Sequence, residues 1–327
     1  MIDIFGTLGP SCADEEKLYR MFKCGMNGIR LNLSHTSLKD FKEWLDIFNR
    51  AAEKAEVKPK ILIDMMGPEV RIKTLDKPLE LKKDMSVSLG RDIPVDSIIF
   101  SSLIKGDNVL LDDGKIRLEV VDVKENEADC KVLCDGILNS KKSLAIECKE
   151  IPMPTLTEND LENLKVAKEY GVTGMMQPFV RNSQDLITIK NTLKELNIED
   201  LRLYAKIENR NGVEHLEELL PYCDEIVIAR GDLGNAVPLS ELPMVSFQIQ
   251  NCCKNHNKPY MVVTQMLDSM IKNPVPTRAE VSDIFYNVYH GASSIMLTGE
   301  TAAGKYPVEA VDMFVKTAKN AYFCREK

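Results

Sequence analysis

The stretch that decides the fold is "IDIFGTLGPSCADEEKLYRMFKCGMNGIRLNLS", residues Ile2 to Ser34. It opens on a short apolar run, "IDIFGTL", passes through "CADEEKLYRMFKCG", where apolar residues recur at helical spacing, and returns to a second apolar run, "GIRLNLS". That is strand, helix, strand, a unit whose crossover makes the two strands parallel. Between the first strand and its helix stands "GTLGPS", which does not match the glycine-rich phosphate fingerprint that opens many doubly wound sheets.

The rhythm continues outward. "SLKDFKEWLDIFNRAAEKA" reads as a second helix and "KILIDMMGPEVRI" as a third strand with its loop. From about Lys73 to Ile151 the pattern changes to short strands with turn signals, as in "GDNVLLDDGKIRLEVVDVKENEADCKVLCDG", which predicts a small all-β insert. The alternation resumes at "TENDLENLKVAKEYG" and runs to the helical "PVEAVDMFVKTAKNAYF". Strands are expected at Ile2–Leu8, Gly28–Leu33, Lys60–Met65, Gly174–Phe179, Leu201–Ile207, Glu225–Arg230, Tyr260–Thr264 and Ser294–Thr298. Eight parallel strands point to a closed α/β (β/α)8 barrel, with an open sheet as the alternative. The expected organisation is residues 1–71 as the first part of the barrel, 72–152 as an all-β lid and 153–327 as the second part.

Composition narrows the class. The 327 residues are 44% hydrophobic and 28% charged, ordinary for a soluble globular chain able to bury a sizeable core. The strand-like "IDIFG" directly after Met1 leaves no room for a signal sequence, and no apolar run reaches membrane-spanning length, so the chain reads as cytoplasmic. Nine scattered cysteines form neither a disulfide framework nor a CxxC knuckle, and are expected to be reduced. A net charge of −8 with no basic tract argues against nucleic acid as a partner.

In a (β/α)8 barrel the chemistry sits at the C-terminal ends of the strands, where unusual polar residues are therefore to be counted. The second strand ends with Arg30, Asn32, Ser34 and His35, and the third has Asp64, Glu69 and Arg71 near its end. "AKIEN" supplies Lys206 and Glu208, which two-residue strand spacing puts on one side. "IARGDLG" supplies Asp232, the seventh strand Thr264 and Gln265, and the eighth "LTGET". The strand beginnings show nothing comparable.

Each residue has a plainer reading. Lys206 and Glu208 could be a solvated rim pair, Asp64 a turn cap, and Ser34 and Thr264 hydroxyls satisfying backbone. His35 reads as a packed or surface imidazole and stays outside the catalytic set. The methionines of "DMM" and "GMMQ" read as barrel filling. Gathered at one end, the charged set favours chemistry. Glu208 and Asp232 could share one hard divalent cation. Arg30, Arg71 and Lys206 could hold a phosphate and stabilise a transferring phosphoryl group. The backbone N–H groups around Gly231 and Asp232 could take a carboxylate. Phosphoryl transfer with a small anionic substrate is the indicated reaction class.

The motifs "GMNGIRLNLSH", "DMMGPEVRI", "AKIENRNG", "IVIARGDLG", "TQMLDSMIKNPVPTRAEVSD" and "IMLTGETAAGKYPVEAV", in this order, resemble those of the pyruvate kinase family across nearly the whole chain. The resemblance implies conversion of phosphoenolpyruvate and ADP to pyruvate and ATP, in glycolysis. It implies that Glu208 and Asp232 bind Mg²⁺ or Mn²⁺, that Lys206 stabilises the phosphoryl group in flight, and that Arg30 binds phosphate. Asn32, Ser34, Asp64 and the Met65 carbonyl would form a K⁺ site. Glu69 matches the form associated with K⁺ dependence. Asn32, His35 and Arg71 would lie on the nucleotide side. Thr264 would stand near the proton-delivery path, with the Gly231 and Asp232 amides on the substrate carboxylate. The insert would be the mobile lid.

Departures from the family pattern are also legible. "DMMGPE" stands where the family reads "DTKGPE", so Met65 and Met66 replace a threonine and a lysine. "SLAIEC" follows Ser140–Lys142 where the family has "GVNLPG", Asn159 stands for a lysine in "TEND", and "PFVR" replaces "SFVR" at Pro178 to Arg181. The chain stops at Lys327 without the family's C-terminal domain, which implies no sugar-phosphate activation and at most a homodimer through the barrel. Two alternatives stand beside an active kinase: a non-catalytic phosphoenolpyruvate-binding regulatory descendant, and a related barrel enzyme acting on another enol or keto acid.

Overall fold

The computed structural model describes every residue except Met1, His35, Glu69, Asp113, Cys148, Glu150 and Lys327. The described chain divides into two compact units, one comprising residues 1–67 with 155–327 and the other residues 68–154.

The first unit is a closed barrel of eight parallel strands. In chain order they are β1 (Asp3–Thr7), β2 (Gly28–Asn32), β3 (Lys60–Asp64), β4 (Gly174–Gln177), β5 (Arg202–Ile207), β6 (Glu225–Ala229), β7 (Tyr260–Val263) and β8 (Ser294–Met296). β1 closes the barrel by pairing with β8, with Phe5 opposite Met296. Although the second unit separates β3 from β4 in sequence, the two are neighbours, with Asp64 opposite Met176. Every expected strand forms, one or two residues shorter than the sequence reading.

The period-two alternation of each strand feeds two apolar layers. Phe5, Leu62, Met176, Tyr204, Val227, Met261, Val263 and Met296 fill the barrel interior. Ile4, Ile29, Ile63, Leu203, Ile226 and Val262 face outward onto the helices, where Leu18, Phe48 and Phe314 meet them. Only Met176 of the "DMM" and "GMMQ" methionines fills the barrel; Met65 and Met175 lie in the outer layer, because each adjoins an inward-facing residue and so points the other way, and Met66 is half-buried.

Helix starts follow local chemistry. Asp14 caps Glu15–Cys24 by accepting from Lys17 N. Thr157 and Thr277 open Glu158–Val166 and Arg278–Tyr289 with reciprocal capping boxes to Asp160 and Glu280.

The second unit is β-rich. A five-stranded antiparallel sheet runs in the order Leu144–Ile146, Asn108–Leu111, Ile116–Val123, Ala128–Val132, Ser86–Leu89, beside a two-stranded pair, Leu79–Leu81 with Gly136–Leu138. Its core is its own, with Val87, Leu89, Val109, Leu118 and Val132 among its buried residues. The eight described cysteines are free thiols. Among the described residues no helix is long and apolar enough to cross a membrane.

Candidate active site

At the C-terminal ends of the barrel strands a charged network is buried inside one rim. Asp64 ends β3, Lys206 stands near the end of β5 and Glu208 follows that strand; all three are almost fully buried. Arg30, on β2, donates through Nε to Asp64 Oδ2 at 2.7 Å, with Nη2 2.6 Å from the same oxygen. Lys206 Nζ sits 3.2 Å from both Asp64 oxygens and 2.9 Å from Glu208 Oε1. The other Glu208 oxygen accepts from the backbone N–H of Phe179 at 2.9 Å. The Lys206–Glu208 pair is therefore no solvated rim bridge: Lys206 joins two carboxylates out of water.

The electrostatics follow from that burial. Desolvation alone would push the Asp64 carboxyl up, but Lys206 and Arg30 outweigh it and hold the group below the usual carboxylate range. Burial would lower the Lys206 ammonium, yet Asp64 and Glu208 hold its proton more tightly than in an ordinary lysine. Glu208 goes the other way: burial, opposed by Lys206 and reinforced by the charges of Asp232 and Asp64, pushes it up to about 7. A carboxylate strained by its carboxylate neighbours in a dry site is where an added cation is held most favourably. Glu208 with the half-buried Asp232 is a hard-oxygen pair of the kind a small divalent cation takes, since such an ion needs only one or two carboxylates from protein. Among the described residues no group of three or more His, Cys, Asp or Glu gathers as a metal cluster.

The remaining sequence-predicted residues divide. Gly231 and Asp232 open the short helix Arg230–Ala236, in the first turn, where N–H groups lack intrahelical partners. Thr264 follows β7 directly, and a Cβ on Gly231 would lie 3.0 Å from the Thr264 methyl, so the two residues touch. Asn32 and Asp64 are opposite each other in register on β2 and β3. Asn32 Oδ1 accepts from the Ser34 hydroxyl at 2.9 Å, whereas the Asp64 carboxylate turns toward Arg30 and Lys206. Met65 is buried. Arg71 belongs to the second unit, where its Nη1 donates to the Lys141 carbonyl at 2.9 Å. His35 and Glu69 lie outside the described residues.

Sequence reading missed three features. Asp160, fully buried, accepts from Met66 N at 2.8 Å and Gly67 N at 3.0 Å while completing its own capping box, so it anchors the loop after β3. Its place three residues after Thr157 was the available signal. Gly67, at φ 63°, packs so closely on Pro178 that a Cβ would stand 2.6 Å from the ring. The opposite rim, expected to be bare, also carries charge: buried Glu225 accepts from Ser293 and Ser294 hydroxyls and pairs with Arg202 at 3.3 Å. That network is satisfied side chain by side chain and reads as structural. Two surface clefts, one between the helices Glu15–Cys24 and Pro307–Arg325 and one between Leu242–Asn255 and Arg278–Tyr289, lie among helices and not inside the charged rim.

Comparison with known proteins closes the question of family. The family described as "Pyruvate kinase, barrel domain" matches residues 1–311. The chain belongs to the pyruvate kinase family. It is 37% identical over 317 residues to the pyruvate kinase of Bacillus licheniformis, covering 93% of this chain and 54% of that protein. It is 35% identical over 325 residues to the pyruvate kinase of Aeropyrum pernix, covering 98% of this chain and 71% of the relative. The crystal structure of a pyruvate kinase from Cryptosporidium parvum aligns with a TM-score of 0.91 at 29% identity, over 99% of this chain and 69% of that one. The chain thus spans about half the length of several curated pyruvate kinases it matches, 54% of the Bacillus protein and 55% of a Staphylococcus aureus one.

Proposed function

We propose that this pyruvate kinase family member transfers the phosphoryl group of phosphoenolpyruvate to ADP, giving pyruvate and ATP. The observation that carries the proposal is Lys206, a buried ammonium held protonated between Asp64 and Glu208 at the catalytic end of a barrel. Such a fixed charge costs no reorganisation when negative charge develops on a phosphoryl group beside it. Arg30, oriented by Asp64, adds a second cation for the same group. The N–H groups of Gly231 and Asp232 hold the substrate carboxylate, and Thr264, against Gly231, stands by the carbon that gains a proton as the enol becomes pyruvate. Mg²⁺ or Mn²⁺ on Glu208 and Asp232 would supply charge neutralisation for the phosphate oxygens. A K⁺ ion on Asn32, Ser34, Asp64 and the Met65 carbonyl belongs to the same proposal, as do nucleotide contacts from Asn32, His35 and Arg71, a lid role for residues 72–152, a homodimer through the barrel and a cytoplasmic location.

The test is pyruvate formation from phosphoenolpyruvate and ADP with Mg²⁺, K⁺ being present or omitted, and Lys206→Met as control. The expected result is turnover by the native chain, reduced at least about a thousandfold in the variant. Binding of phosphoenolpyruvate without turnover would overturn the kinase reading in favour of a regulatory descendant.

A further inference from the structure

The turn after β7 is held in a conformation that its residues resist. Thr264 has φ 77° and Gln265 φ 54°, two consecutive left-handed residues with no glycine among them. For a β-branched threonine this is a true outlier, which persists only where the surroundings over-determine it. The determinant is Arg230, the residue just after β6. Its Nη2 donates to the Thr264 carbonyl at 2.8 Å, reaches the Gln265 carbonyl at 3.5 Å and lies 2.9 Å from Met266 Sδ. Its Nη1 stands 2.8 Å from each oxygen of Asp283, on the helix Arg278–Tyr289. Asp283 is fixed in turn: Asn287 Nδ2 donates to its Oδ1 at 2.9 Å, and buried Gln250, on the helix Leu242–Asn255, donates to Asn287 Oδ1 at 3.0 Å.

One arginine therefore ties the strained turn to two outer helices. Because the residue after Arg230 is Gly231, whose missing side chain admits the Thr264 methyl, the same tie sets the spacing between Thr264 and Gly231. We infer that the Arg230–Asp283 pair is a positioning device that imposes the left-handed turn and thereby holds Thr264 in register with Gly231. Its consequence for turnover rests on the proposed reaction, in which both residues face the substrate. Arg230 and Asp283 are positioning residues in this account, not catalytic ones.

The experiment compares Asp283→Ala, the gentler Asp283→Asn, and Asp283→Ala combined with Gln265→Gly, on the full chain with Mg²⁺ and K⁺. Glycine accepts a left-handed φ without strain, so it lowers the cost that the pair otherwise offsets. In Asp283→Ala, kcat is expected to fall about a hundredfold, the scale of a roughly 1 Å misplacement, with KM for ADP nearly unchanged. Gln265→Gly is expected to restore at least about a tenth of the lost rate in the double variant. Asp283→Asn, which keeps the shape, is expected to fall between native and Asp283→Ala. A crystal structure of Asp283→Ala is expected to show Thr264 moved out of the left-handed region. Native kcat in a folded Asp283→Ala or Asp283→Asn variant, a lost rate that glycine fails to rescue, or an unchanged Thr264 φ in the variant crystal would overturn the inference. If the native chain makes no pyruvate, the reaction reading fails, and the Thr264 conformation in the variant crystal still decides the positioning role.

Discussion

Replacing Lys206 by methionine should produce a stability loss that grows with pH. The side chains are similar in length, so the change removes mainly the charge shared by Asp64 and Glu208. Asp64 keeps Arg30 at 2.7 Å, whereas Glu208 keeps the Phe179 N–H and loses its cation. Breaking a buried pair from one side costs about 3–5 kcal/mol when the other charge must stay ionised. Glu208 has an escape: its carboxyl already stands at about 7, and without Lys206 it rises further and takes a proton instead.

The sign follows from proton linkage. A carboxyl whose folded pKa is raised makes the native state bind more protons than the unfolded chain, so stability falls as pH climbs from the unfolded value to the folded one. In the native protein that fall ends near pH 7; in the variant it continues above, by at most about 1.4 kcal/mol per pH unit. The expected loss is therefore about 1–2 kcal/mol at pH 6, where Glu208 is protonated in both proteins, and about 3 kcal/mol at pH 8. Urea unfolding at pH 6, 7 and 8 with divalent ions chelated measures it. A loss that is the same at all three pH values would refute the claim that Lys206 neutralises Glu208.

Other predictions concern the parts that position the site. Asp160→Ala strips the acceptor from Met66 N, Gly67 N and Thr157 N, and should cost about 3 kcal/mol, with faster hydrogen exchange at Met66 and Gly67; a loss under about 1 kcal/mol would show that the loop is anchored otherwise. Gly28→Ala places a Cβ 2.4 Å from the Phe5 ring and 3.0 Å from the Lys60 carbonyl, and should destabilise by about 2–3 kcal/mol. Phe5→Leu in the same chain should recover part of that loss, and strictly additive effects in the double variant would speak against the clash.

By itself the sequence determined the number, order and direction of the barrel strands, because the periodicity of each strand and helix is written in its own residues. It also put Arg30, Asp64, Lys206, Glu208, Asp232 and Thr264 at strand ends, since a strand's end is a local property. It did not say which polar groups meet. Lys206 and Asp64 are 142 positions apart and come from β5 and β3, which flank β4 and turn these side chains toward the same barrel interior. Asp160 reads locally as a helix cap, yet it also holds the loop after β3; Arg230 reads as one letter of "ARGDLG", yet it fixes a turn that "TQML" alone would not adopt. Spacing along the chain determines the face on which a side chain stands. Its partner across the barrel, and hence its charge state and any backbone strain it sustains, was decided by closure of the sheet and packing of the helices around it.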